Sequence, residues 1–349
     1  MNIFELFTEA LHRETHRVAI VCDASRDRRE ATYSDLDRQI DTVMTQLLRA
    51  DLQAGGIVLL AVPVSLETYV VMLALLKAGM VVMTIDPAHS AARVAEILRE
   101  PPPVGIISTR AISLMRFVFP ELRKIPVRFV VNGPKGNGSR QCFSDDNVRP
   151  SAVVKRSSAD SAVLSFTSGS SGKPKGVLRT HGFLREQINM LNRISDSGRD
   201  EIDFVVLPMF VLFNLANGVT NVIPACDMKR PGRADPRIVY EQLARERVTR
   251  VIASPSLLER LARHCVDQHL QLPSIRRIST GGGPVSPTLA GRIAAIAPNS
   301  FFQMVYGSTE AEPIATINGD EVSACDRRRM REGAGLLVGH AVQGCDVQI

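Results

Sequence analysis

Residues 165–181 read SFTSGSSGKPKGVLRTH. They place the hydroxyls of Thr167, Ser168, Ser170 and Ser171, the glycines Gly169, Gly172 and Gly176, and the cations Lys173 and Lys175 within ten residues. Such a loop suits a triphosphate: small residues let backbone N–H groups close on phosphate oxygens, while hydroxyls and ammonium groups answer the remaining charge. A Gly/Ser linker shares the composition but predicts neither the apolar flanks AVLSF and GVL nor the paired lysines. A Walker-type P-loop is excluded. Counted from Gly169, the second glycine of that pattern falls on Pro174, and the β-rich GVLRTH that follows predicts strand, loop, strand.

Two later segments carry compatible chemistry, STGGGPVSP at 279–287 and VYGSTEAEP at 305–313. Gly281, Gly282 and Gly283 let a flat ligand approach the backbone, and Tyr306 offers a ring face for stacking against a base. Thr309 and Glu310 add a hydroxyl suited to phosphate and a hard carboxylate suited to Mg²⁺. Singly, a glycine triplet is a turn and a loop glutamate a solvated charge. Their order and combination discriminate.

These segments need a scaffold that ends strands near one another. Apolar runs at 57–64, 80–85, 104–108 and 127–131 alternate with helical stretches, of which 66–77 and 91–99 are the clearest. Strands are expected again at 162–166, 204–208, 250–253, 277–280 and 301–305, with helices near 181–195, 235–246, 255–268 and 286–296 between them. Alternation of this kind predicts an α/β fold of two layered subdomains with mostly parallel sheets flanked by helices. Residues 132–160 are poor in large apolar side chains, so the expected organisation is a subdomain over about 1–135, a linker over about 136–160 and a second subdomain over about 161–330. The run GLLVGHAVQGCDVQI at 335–349 alternates as a strand does and is expected to begin a third, β-rich subdomain over about 331–349.

Composition narrows the function classes. The 349 residues are 45% hydrophobic and 22% charged, ordinary for a globular protein. The formal charge of +6 comes from arginines interspersed with acids, which predicts a mixed solvated surface and no nucleic-acid partner. Arg327, Arg328, Arg329 and Arg331 are the local exception, and no aromatic residue stands among them. The cysteines at 22, 142, 226, 265, 325 and 345 form no C-x-x-C pair, so neither zinc nor a redox dithiol is indicated. The amphipathic N-terminus carries acids early, unlike an export signal. The longest apolar run, 69–83, is interrupted by Lys77 and Gly79 and falls short of the roughly 20 residues of a membrane span. A cytoplasmic protein with reduced thiols is expected.

TSGSSGKPKG at 167–176, GGGPVSP at 281–287 and YGSTE at 306–310 together resemble the ordered core motifs of the adenylate-forming superfamily of acyl-CoA synthetases, luciferases and peptide-synthetase adenylation domains. The likeness runs from ATYSDLDRQIDTVMTQLL at 31–48 through LKAGMVVMTIDP at 76–87 to the end of the chain. It implies an acid-activating ligase of the AMP-forming type that uses ATP and Mg²⁺. By resemblance, Thr167, Ser168, Gly169, Ser170, Ser171, Gly172, Lys173 and Lys175 serve the β- and γ-phosphates, with Lys175 as charge donor. Gly281, Gly282, Gly283, Tyr306, Gly307 and Ser308 line the nucleotide, Thr309 contacts the α-phosphate, and Glu310 ligates Mg²⁺. The implied step is in-line attack of a substrate carboxylate on the α-phosphorus with release of pyrophosphate.

Many acyl-CoA synthetases carry an aromatic-His pair in the segment that here reads LPMFVLFNLANG, where Val211 occupies the histidine's place. Phe210, Phe213 and Asn214, together with YGSTEAEPIA, are more similar to the branch containing the β-lactone synthetases of bacterial olefin biosynthesis. That similarity implies a fatty or β-hydroxy fatty acid bound by Phe210, Phe213, Asn214, Gly281 and Met304. The segment fits a buried hydrophobic loop as well as an acyl-pocket gate. Coenzyme A, an acyl-carrier protein or the substrate's own hydroxyl are the acceptors to expect. The family's C-terminal lid, with its catalytic lysine, is not found before Ile349. An enzyme fragment is therefore expected, against a non-catalytic nucleotide-binding module or a subunit completed by a separately encoded domain.

Overall fold

A computed structural model of the chain describes residues 1–23, 28–86, 89–131, 140–141, 143, 151–167, 175–195, 198, 200–226 and 230–348. Strands among the described residues are β1 (Val18–Cys22), β2 (Arg29–Thr32), β3 (Ile57–Ala61), β4 (Val81–Thr84), β5 (Gly105–Thr109), β6 (Val127–Val131), β7 (Arg140–Gln141) and β8 (Ser161–Thr167). The chain continues with β9 (Lys175–Thr180), β10 (Ile202–Val205), β11 (Thr220–Ile223), β12 (Arg250–Ala253), β13 (Arg277–Gly281), β14 (Phe301–Tyr306), β15 (Ala315–Asn318) and β16 (His340–Ala341). They divide between two compact units, residues 1–17 with 31–186 and residues 18–30 with 187–349.

In the first unit the sheet order is β7-β6-β5-β3-β4-β8-β9, parallel except for the antiparallel pair β8–β9. Leu59, Val81, Met83, Ile106 and Leu164 from its strands form a core with Leu98, Leu122 and Ile125. Helix Leu66–Lys77 is buried along its whole length. Its last residue, Lys77, meets Asp41 at 2.6 Å, so the cation that the apolar run could not shed is neutralised in the interior. Helix Tyr33–Arg49 opens on a capping box between Thr32 and Asp35, which satisfies two of its orphan donors.

The second unit holds the sheet β16-β15-β14-β13-β12-β10-β11-β1-β2. Its central strands from β14 to β1 are parallel, and β15 and β16 add antiparallel pairs at one edge. Helices Pro236–Arg245, Pro255–Asp267 and Leu289–Ile296 bury Leu243, Leu257, Leu261 and Ile293 in one core with Phe204, Val251 and Ile278.

The mixed α/β class and the mostly parallel sheets agree with the sequence reading; three details differ. Strand β8 completes the first unit's sheet, so the break falls between Glu186 and Gln187 and not at 136–160, and residues 18–30 belong to the second unit. The apolar VAIVC of β1 pairs with β11, about 200 residues later. The strand expected at 204–208 ends at Val205, because Pro208 starts a helix at a position where its missing N–H costs nothing. In 335–348 only His340–Ala341 is a strand. Gly335, Gly339 and Gly344 take φ near +90°, outside the extended region, and break the alternation. Among the described residues no helix is long and apolar enough to cross a membrane.

Candidate functional site

In the first unit β8 and β9 form an antiparallel hairpin that pairs Thr167 with Lys175 and Phe166 with Gly176. Residues 168–174 lie outside the described residues, so Ser168, Gly169, Ser170, Ser171, Gly172 and Lys173 have only their anchor points described. Lys175 is exposed at the first position of β9. A Cβ at Gly176 would stand 3.3 Å from both Leu164 and Phe166, so the hairpin closes tightly below the loop.

His181 follows β9 and anchors it. Its Nδ1 accepts the backbone N–H of Ile3 at 3.1 Å, its backbone N–H donates to the Asp160 carbonyl at 3.0 Å, and the ring is buried. Burial first, then the nearby Arg156 cation, lowers its pKa to about 4, so the ring is neutral with its proton on Nε2.

The second unit gathers the other candidates at the carboxyl edge of its parallel strands, where ligands of open α/β sheets bind. β13 ends at Gly281, paired with Val305 of β14. A Cβ there would lie 2.5 Å from the Val305 carbonyl oxygen, so only glycine permits that approach. Gly282 has φ +72° and open space around it, and Gly283 is equally open, with only Pro255 near 3.9 Å. Next to this bare backbone β14 ends at Tyr306, which is 51% exposed.

Beyond Tyr306 the backbone folds into a tight turn. The Ser308 N–H donates to the Ala311 carbonyl at 2.8 Å and the Ala311 N–H to the Ser308 carbonyl at 3.1 Å, leaving Thr309 and Glu310 at the tip. Gly307 is held within 3.1 Å of Ala311 and Glu312 in the sense that a Cβ would crowd both. Glu310 is exposed and Thr309 half-buried. A single exposed carboxylate on a short turn fits Mg²⁺, which keeps several waters and takes one or two protein carboxylates together with phosphate oxygens.

Met304 is half-buried in β14 opposite Thr280 and packs on the core. Of the Phe210, Phe213, Asn214 trio on helix Pro208–Ala216, only Phe210 keeps exposed surface; Phe213 and Asn214 are buried. Asn214 donates to Asp203 Oδ2 at 2.9 Å and Asn221 Oδ1 at 3.0 Å, and Arg250 lies 3.2 Å from the same Asp203 oxygen. Its amide therefore ties the helix to β10 and β11, a structural use at odds with the expected contact to an acyl chain. Burial raises the Asp203 pKa to about 6 despite the Arg250 cation beside it. Motif reading passed over this network. Its signal was a charge inside an apolar strand run, IDFVV and RVIA.

A family model described as AMP-binding enzyme matches residues 7–349. The olefin beta-lactone synthetase of Xanthomonas campestris pv. campestris is 32% identical over 328 residues, covering 91% of this chain and 57% of that protein. The olefin beta-lactone synthetase of Stenotrophomonas maltophilia is 29% identical, covering 100% of this chain and 64% of that protein. The chain thus spans less than two thirds of either relative. Among solved structures, an amide bond synthetase from Marinactinospora thermotolerans superposes with a TM-score of 0.79 at 21% identity, over 99% of this chain and 66% of that one. A luciferase-like enzyme from Zophobas morio gives 0.80 at 15% identity, over 98% and 79%. The two solved structures share the fold described above, and the family match extends over residues 7–349, nearly the whole chain: the chain belongs to the AMP-binding enzyme family.

Proposed function

We propose that this chain binds Mg·ATP and an apolar carboxylic acid, and that its site promotes attack of the carboxylate on the α-phosphorus to give an acyl adenylate and pyrophosphate. The observation that carries this reading is the shared sheet edge in the second unit. There the bare backbone of Gly281, Gly282 and Gly283 and the exposed Tyr306 ring stand on adjacent strands, with Thr309 and Glu310 at the tip of the following turn. Adenine fits against the glycine backbone and the tyrosine, and Thr309 would donate to an α-phosphate oxygen. Glu310 would hold Mg²⁺, which when bound neutralises phosphate oxygens. By the family resemblance, and not by geometry, Lys175 and the hydroxyls of Thr167, Ser168, Ser170 and Ser171 are assigned to the β- and γ-phosphates. Acceleration then comes from positioning and from fixed charges set where negative charge gathers.

Similarity to two olefin beta-lactone synthetases favours a 3-hydroxy fatty acid whose own hydroxyl displaces AMP, with coenzyme A or a carrier thiol as the alternative acceptor. ATP–pyrophosphate exchange with a panel of carboxylic acids tests the proposal: exchange above background, highest for long 3-hydroxy acids, is expected. ATP binding without exchange for any acid would assign the chain to nucleotide binding alone, or to a subunit that a separate domain completes. Glu310→Gln and Lys175→Ala should each raise the calorimetric Kd for Mg·ATP by about tenfold, the scale of one lost charge-assisted contact of ~1.5 kcal/mol. Unchanged affinity in both variants sinks the site assignment.

A further inference from the structure

The segment after β5 in the first unit leaves its large apolar side chains outside. Leu114, Met115, Phe117 and Val118 are 48%, 43%, 67% and 76% exposed, within five residues of one another. Their neighbours are not loose: Phe119 packs on the core, and Leu122 and Ile125 lie within it. The chain has therefore sorted its side chains, taking three inward and leaving four out. Exposed apolar surface so concentrated marks an interaction site.

Charge selects the partner. Residues 104–131 contain Arg110, Arg116, Arg123, Lys124 and Arg128 against one carboxylate, Glu121, and that carboxylate is held by Arg99 at 2.8 Å. Helix Pro120–Lys124 packs against the turn Met115–Phe117 and exposes Arg123 and Lys124 beside it, and Arg128 reaches the Arg123 carbonyl at 2.6 Å. The Arg116 guanidinium stands 4.9 Å from the centre of the Phe117 ring. An apolar ridge rimmed by cations, one of them on an aromatic face, is the arrangement that sinks side chains into an acyl boundary while arginine and lysine heads stay at phosphate level.

We propose that residues 110–124 dock the protein on the surface of an anionic lipid bilayer, with Leu114, Met115, Phe117 and Val118 inserted and the surrounding cations on the headgroups. The proposal concerns a surface and does not rest on the identity of the activated acid. Co-sedimentation with vesicles of phosphatidylcholine, alone or mixed with phosphatidylglycerol, tests it. Wild type should bind the mixed vesicles, bind phosphatidylcholine alone far more weakly, and weaken as salt rises from about 0.1 to about 0.5 M. The double variant Phe117→Ser, Val118→Ser should lose about tenfold or more of that binding, and Arg110→Gln or Lys124→Gln about fivefold each. All four positions are exposed, so urea midpoints and ATP–pyrophosphate exchange should stay at wild-type values. Equal binding to both vesicle types, no binding, or binding indifferent to the double variant overturns the proposal. A dimer in light scattering that the double variant abolishes, without vesicle binding, would instead assign the patch to a second copy of the chain.

Discussion

Gly281 and Gly283 stand two residues apart and ask different things of a methyl group. At Gly281 the added carbon would meet a backbone oxygen at 2.5 Å, which neither strand can yield without loosening the β13–β14 pairing. Gly281→Ala should therefore cost about 1–3 kcal/mol in urea denaturation. Gly283 faces open space, so Gly283→Ala should stay within about 0.5 kcal/mol of wild type while raising the Kd for ATP, because the methyl occupies room the adenine would use. A Gly283→Ala variant that binds ATP normally removes this glycine from the nucleotide site. The glycine triplet was legible in the sequence, whereas the division of labour within it was not, because it depends on which strand lies alongside.

Helix Pro208–Ala216 shows how an element separates residues that a motif had grouped. Phe210 lies on its half-buried side, while Phe213 and Asn214 face the core and the Asp203, Asn221 and Arg250 row of adjacent strands. Asn214→Ala leaves the buried Asn221 Oδ1 without its Asn214 donor and Asp203 Oδ2 with Arg250 but not the amide, so a loss of about 1–3 kcal/mol in stability is expected. Phe210→Ala should instead change KM for the acid with little change in the urea midpoint. A reversed pattern, with Phe210 structural and Asn214 silent in stability, would contradict this assignment. Element positions were readable where periodicity is strong. Helices Leu66–Lys77 and His181–Ser195 and strand β12 fall on the residues expected from apolar spacing. Helix period alone could not tell which face of a uniformly apolar helix meets solvent.

Across the whole molecule, each of the two units buries a group that couples its stability to acid, and the two couplings have opposite sign. His181 in the first unit has its pKa lowered to about 4, so the folded state binds fewer protons than the unfolded one. Its contribution is complete above the unfolded value of 6.5 and is lost as pH falls toward 4. Asp203 in the second unit has its pKa raised from 3.8 to about 6, so its contribution is present below 3.8 and lost as pH rises through 6. From pH 7 to 5 the first unit should lose about 2 kcal/mol and the second gain about 1 kcal/mol from these two groups. Hydrogen exchange corrected for intrinsic rate reads the units separately, and His181→Gln should remove most of the first unit's acid loss. Parallel shifts in both units, unchanged by that variant, would refute the account. The sequence exposed the α/β class and the motif order, but the membership of residues 18–30 escaped it, since local spacing carries no trace of a partner so distant.

That distant pairing also has a meaning in time. Ile20 meets Asn221, so strand β1 must wait for one made about 200 residues later. At about 5–20 residues per second, the hydrophobic VAIVC leaves the ribosome roughly 10–40 s before β11 exists. During that interval the nascent chain carries an apolar strand with β2 on one edge and the other edge open, and the second unit cannot close its sheet in the order in which it is synthesised. Holding that strand apart from other chains until β11 arrives becomes a task for the translating cell.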